Sequence, residues 1–222
     1  MTTGCSLEDL GQSTTPQAAD IEAIEAALAS VEPGERMLFT GAGLTKHDAL
    51  PRWIASAKDA GAKQIIVQAT GDAFAYEGYV RALRGAGTDI FAIPLHGSIA
   101  PLHDWVSQKR GSFMETIRGI QNIRKAGGTV LVNTVIVRSN FRHLPALVGL
   151  CAKLGVRMVR LLWPHEEGVA DRDLLSVTPV PDVVQPYIAQ AEEEAIRVGL
   201  RLHVELPVSA ELDRSAKPTE MA

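Results

Sequence analysis

Residues 89–137, "DIFAIPLHGSIAPLHDWVSQKRGSFMETIRGIQNIRKAGGTVLVNTVIV", hold the pattern that decides the fold. The stretch opens on an apolar run, 89–95, and closes on another, 129–137. Both are rich in β-branched or aromatic residues and nearly continuous in apolarity, as expected of strands buried on both faces. Between them, "GSFMETIRGIQNIRKAGG" (111–128) reads as a helix. It ends in glycine, the residue that closes a helix in the left-handed conformation. Strand, helix, strand in this order is the repeating unit of a parallel α/β sheet.

The same unit extends in both directions. Further strands are expected at 36–40 ("RMLFT"), 64–68 ("QIIVQ"), 157–163 ("RMVRLLW") and 200–206 ("LRLHVEL"). Helices are expected at 48–61, 76–87, 141–155 and 181–199, each ending in glycine. A further helix falls within 14–34, with Thr15 as N-cap and Pro16 at its first position.

Composition sets the class. With 222 residues, 46% of them hydrophobic and 22% charged, the chain can bury one sizeable core. A net charge of −4 leaves no basic footprint, so neither nucleic acid nor an anionic membrane is an expected partner. The first residues lack a signal-peptide pattern and no apolar run is long enough to span a bilayer, so the expected location is cytoplasmic. Cys5 and Cys151 are too few for a disulfide framework or a self-contained thiolate metal site. Cys151 reads as a small core residue of its helix.

Parallel βα arrays carry their working residues where strands end. The loops at those positions are "TGAGLTKH", "ATGDAFA", "PLHGSIAPLHDW", "RSNFRH", "PHEEG" and "PVSAELD", and they or the following helix starts contain His96, His103, His143 and His165. The first, within "FTGAGLTKHDALP" (39–51), has the shape of a ligand loop. Its glycines, Gly41 and Gly43, serve either a tight strand-to-helix turn or an anionic group held on backbone amides. His96 and His103 have no carboxylate or cysteine partner at convincing spacing, so no metal is expected. Asn133, polar within a buried strand, needs a hydrogen-bond partner from the protein or from a ligand.

Residues 94–168 resemble the central part of a radical S-adenosylmethionine (radical SAM) enzyme. The elements come in order: "LHG" (95–97), "HD" (103–104), "GSF" (111–113), "GI.N" (119–122), "VNTV" (132–135), "N..HLPAL" (140–147) and "P..EG" (164–168). The resemblance runs over roughly residues 5–210. It implies a partial (β/α) TIM-type barrel, an open parallel sheet of about six strands with helices outside. The expected divisions are an N-terminal arm at 1–18, the barrel at 19–208 and a tail at 209–222.

The resemblance also exposes departures. In the family, the loop matching 41–45 is Gly-Gly-Glu-Pro-Thr, whose glutamate receives the amino group of the methionine moiety. Here Gly41 and Thr45 match, Ala42 and Leu44 replace glycine and proline, and Gly43 stands in the place of the acid. The family's cluster is held by C-x3-C-x2-C, since three thiolates stabilise such clusters. Cys5 falls near the last of these, a relic without its partners. Pro94 stands where relatives often have a polar residue, and Val208 and Ser209 where a cysteine follows a proline.

The expectation is therefore a radical SAM-like protein without its cluster site, acting as a non-catalytic partner or as a regulatory or binding subunit. No resident cofactor is expected: no iron–sulfur cluster, and S-adenosylmethionine or another adenosyl compound bound only weakly. Gly41, Gly43, Thr45, His96 and Asn133 are the candidate ligand contacts. The alternatives are a cluster-free enzyme with His96 as acid or base near neutral pH, and a true radical enzyme whose cluster motif is truncated or supplied by a partner. A protein partner, an active radical SAM enzyme among the candidates, or a second copy is expected to cover the exposed edge at 36–40.

Overall fold

The computed structural model describes residues 18–164 and 178–205. Cys5, Thr15, Pro16, His165, Glu166, Glu167, Val208 and Ser209 lie outside the described residues.

Six parallel strands form one sheet in sequence order: β1 (Arg36–Phe39), β2 (Gln64–Gln68), β3 (Ile90–Pro94), β4 (Thr129–Val135), β5 (Met158–Leu162) and β6 (Arg201–Glu205). The strand expectations hold at all six places. The connecting helices are α3 (Leu50–Asp59), α5 (Glu77–Ala86), α7 (Ser112–Lys125), α8 (Leu144–Lys153) and α9 (Pro181–Val198), with α1 (Ala18–Ala29) ahead of β1. Left-handed glycines terminate α5 at Gly87 (φ 119°) and α9 at Gly199 (φ 68°). The architecture is the expected α/β one, an open six-stranded parallel sheet with helices, as in a partial TIM-type barrel.

Alternation along each strand separates two faces. Ile65, Val67, Phe91, Ile93, Val130, Val132, Val159 and Leu161 are buried in the main core. The other face carries Gln68, Ala92, Leu131, Asn133, Met158 and Arg160, brought into rows by the strand register. β1 pairs with β2 alone, and Leu38 on it is 46% exposed, so this edge of the sheet offers apolar surface.

Three of the strand-end loops contain helices: α2 (Ala42–Thr45), α4 (Gly71–Phe74) and α6 (Ala100–Ser107). The α4 turn packs hard on α7. A Cβ at Gly71 would meet Thr116 Cα at 2.6 Å, and one at Gly119 would meet Phe74 Cβ at 3.0 Å. Asn122 then donates to the carbonyls of Phe74 (3.0 Å) and Ala75 (2.9 Å), satisfying the end of the α4 turn. The "GI.N" segment is thus a helix-packing device.

Candidate functional site at the strand ends

The loop after β1 turns at Gly41, whose φ of 102° suits only glycine. Thr45 is buried; its hydroxyl donates to the Gly41 carbonyl (2.9 Å), while its own carbonyl accepts from the Tyr79 hydroxyl. Burial pushes the Tyr79 hydroxyl up to about 12, which keeps it a neutral donor. Gly43 lies inside α2, and a helical backbone suits residues with side chains.

After β3, Leu95 leads into His96. The His96 amide donates to His103 Nδ1 (3.0 Å), and the two rings stack with centroids 5.8 Å apart. His103 is therefore an acceptor at Nδ1, which leaves any proton of its neutral ring on Nε2. Burial, with the neighbouring His103 adding to it, holds the His96 imidazole down at about 4. Burial likewise holds His103 at about 4, against the opposing pull of Asp104. Both rings are neutral at pH 7. His96 Nδ1 is buried and has no hydrogen-bond partner among the described residues.

Asp104, the acid of "HD", is a capping residue. Its carboxylate accepts from the amides of Gly111 (2.7 Å) and Phe113 (2.8 Å) and from the Ser112 hydroxyl (3.1 Å). The same bonds hold it below the usual carboxylate range at the start of α7. Around the rim, Asp72 lies 3.5 Å from both Lys46 and Lys109, and Lys109 reaches Glu115 at 2.7 Å.

The strand ends are tied together from β4. Leu95 N–H donates to the Asn133 carbonyl (3.1 Å), and the Thr134 hydroxyl donates to the Leu95 carbonyl (2.7 Å). Asn140 donates through Nδ2 to the carbonyls of His96 (3.0 Å) and Val135 (2.8 Å), and its Oδ1 accepts from Val137 N–H (2.8 Å).

Asn133 itself sits on the open face of the sheet at 8% exposure. Its Nδ2 donates to Gln68 Oε1 (3.2 Å), while its Oδ1 is buried with no partner among the described residues. Register places Pro94 on one side and Arg160 on the other. Arg160 reaches Glu205 at 3.4 Å. Of the sequence-predicted residues, then, Asn133 and His96 share the β3–β4 end, each with one buried unsatisfied polar atom. Gly41, Gly43 and Thr45 belong to the loop after β1.

Sequence reasoning missed Gln68, Arg160 and Asn140. Arg160 was signalled by a charge inside the apolar run 157–163, and Gln68 by a polar residue closing a strand. Asn140 stood inside a quoted motif, with nothing to show that it bridges two strands. Among the described residues, no group of three His, Cys, Asp or Glu could hold a metal ion. Nor is any described helix long and apolar enough to cross a membrane.

No family model matches the chain. Two curated proteins, both named AdoMet-dependent heme synthase, are similar to it. One, from Methanosarcina barkeri, is 24% identical over 238 residues, covering 91% of this chain and 67% of the relative. The other, from Oleidesulfovibrio alaskensis, is 33% identical over 73 residues, which is 33% of this chain and 19% of the relative. Among solved structures, a domain of pyruvate-formate lyase-activating enzyme from Bacteroides vulgatus matches at TM-score 0.60 and 14% identity, covering 78% of this chain and 100% of that one. Native anSMEcpe with bound AdoMet matches at TM-score 0.59 and 12% identity, covering 82% of this chain and 52% of that one. The chain thus spans about half the length of that enzyme, and its matches cover 67% and 19% of the two heme synthases.

These relatives overturn one expectation. A chain with no resident cofactor, S-adenosylmethionine bound only weakly and no iron–sulfur cluster does not agree with curated relatives named AdoMet-dependent and a structural neighbour carrying AdoMet. The expectation leaned on single missing side chains, Gly43 above all, whereas the similarity to the Methanosarcina barkeri relative covers 91% of the chain.

Proposed function

We propose that this radical SAM-like chain binds S-adenosylmethionine at its strand ends and serves as a non-catalytic binding or regulatory subunit. The observation that carries the first part is the buried, unpartnered Oδ1 of Asn133 on the open sheet face. An orphaned buried acceptor costs about 1–3 kcal/mol, which a ligand donor such as an exocyclic amine would offset. The neighbouring Gln68 amide and the unpartnered Nδ1 of His96 add polar groups at the same strand ends. Gly41 and Gly43 give the loop after β1 close backbone approach.

The second part rests on the thiolates. A four-iron, four-sulfur cluster of this family needs three of them. The 222 residues contain Cys5 and Cys151, and Cys151 is buried in α8 with its thiol pushed up to about 12. These two residues do not make up such a set of three. His96, neutral and held at about 4, is also a weak base at pH 7. A protein that binds the cofactor and works beside an enzyme agrees with both observations. The exposed β1 edge, with Leu38, is the contact surface this reading favours for a partner or a second copy.

The test is turnover under anaerobic conditions with S-adenosylmethionine and a strong reductant, before and after supply of iron and sulfide. The proposal expects the ligand to be retained intact. Formation of 5′-deoxyadenosine by this chain alone would overturn the non-catalytic part.

A further inference from the structure

We propose a second binding site at the other end of the open sheet face, where the strands begin, for a small amphipathic anion: an apolar body carrying a carboxylate or a phosphate. A cavity of about 720 Å³ lies there, within the size range of small-molecule sites. Its floor is apolar. Register aligns Ile66 with Ile90 and Leu131 with Met158, and all four line the cavity.

The two edges of the sheet supply the charge. Arg36 on β1 lines one side and Arg201 on β6 lines the other. In a chain of net charge −4, this concentration of cationic groups on one concave surface runs against the average. The neighbouring charges are already engaged. Asp89 accepts from Lys58 Nζ (2.7 Å) and from Ile65 N–H (2.8 Å), and Arg160 pairs with Glu205 at 3.4 Å. Arg84 donates to the Thr88 carbonyl at 3.3 Å. Among the described residues, Arg36 and Arg201 have no carboxylate partner, and both are exposed to the cavity side. Guanidinium groups are suited to planar, two-point recognition of carboxylate and phosphate. Apolar floor and cationic edges together select a ligand with both characters. Its lining includes Arg160, the register partner of Asn133, but not Asn133 itself, and the site does not rest on cofactor binding at the other end.

The probe is 1-anilinonaphthalene-8-sulfonate, which joins aromatic rings to one anionic group, compared by fluorescence titration with neutral N-phenyl-1-naphthylamine on the full chain. One site is expected, with the anionic probe at least about fivefold tighter, the effect of one good charge-assisted contact. Arg36→Ser and Arg201→Ser should each weaken the anionic probe by a similar factor and leave the neutral one unchanged. The neutral probe also reports whether each variant keeps its cavity. Displacement by dodecanoate or by dodecyl phosphate, whichever acts at lower concentration, distinguishes carboxylate from phosphate. Equal affinity for the two probes, indifference to both arginine substitutions, or displacement by S-adenosylmethionine would each overturn the proposal.

Discussion

Asn140 binds the end of one strand to the end of another: its Nδ2 donates to the His96 carbonyl at 3.0 Å across the β3–β4 gap. The same amide also serves Val135 O and Val137 N–H, so one side chain satisfies three backbone groups. Asn140→Ala would strand all three in a buried setting. We expect a loss of about 3 kcal/mol, from the cost of unsatisfied buried groups, read as a lower urea midpoint at unchanged slope. Asn140→Asp keeps the acceptor but turns a carboxylate on two carbonyls, and should be no better.

The α4–α7 contact gives a second prediction. Gly71→Ala places a methyl against the Thr116 backbone, with Thr116 N at 2.7 Å and Cα at 2.6 Å. Backbone cannot yield as a side-chain tip can. A cost of about 1–3 kcal/mol is expected, typical of overpacking, and Gly78→Ala, which meets nothing within 4 Å, is the control that should be neutral or better.

The stacked histidines predict acid sensitivity. Both are held at about 4, below the ordinary value of 6.5. Between those limits the unfolded chain binds more protons than the folded one, so stability falls as pH drops from 6.5 towards 4. The slope is at most about 1.4 kcal/mol per pH unit for each histidine. Urea midpoints measured between pH 7 and pH 4 check it, and His103→Gln should flatten the fall whatever it does to stability at pH 7. A midpoint independent of pH over this window would contradict the burial of the pair.

A fourth prediction concerns the loop after β1. Since Gly43 lies in a helical turn, Gly43→Glu is compatible with the backbone. Where family members carry an acid for the methionine amino group, restoring one should strengthen binding of S-adenosylmethionine severalfold over that of adenosine, as charge-assisted hydrogen bonds do. Equal gains for both ligands would show that the acid does not face the amino group.

The strands and the principal helices were legible because their signals are local: apolar runs of strand length, and glycine after each helix. Residues 36–39 and 201–205 show this well, since each edge strand of the sheet is an apolar run of strand length in its own right. Helix α6 was not legible. Its eight residues, "APLHDWVS", have a proline at the start and little amphipathic pattern, and their place is set by contacts with the neighbouring helix. The site was half legible. Asn133 stood out as polar within an apolar run, but its partner Gln68 lies 65 residues away on another strand, and no local pattern reports that distance. The part of Asp104 was not legible either: the bonds it makes at the start of α7 are to residues seven to nine positions further on.

The central claim, that Asn133 belongs to an S-adenosylmethionine site, is tested most directly by titration calorimetry of the ligand into the unmodified protein and Asn133→Leu, a near-isosteric change that removes both polar atoms. The account predicts 1:1 binding by the unmodified protein and a loss of about tenfold or more in the variant, the scale of one buried hydrogen bond, with the circular dichroism spectrum preserved. Equal affinity in the two proteins, or no binding by the unmodified one at millimolar ligand, would contradict it.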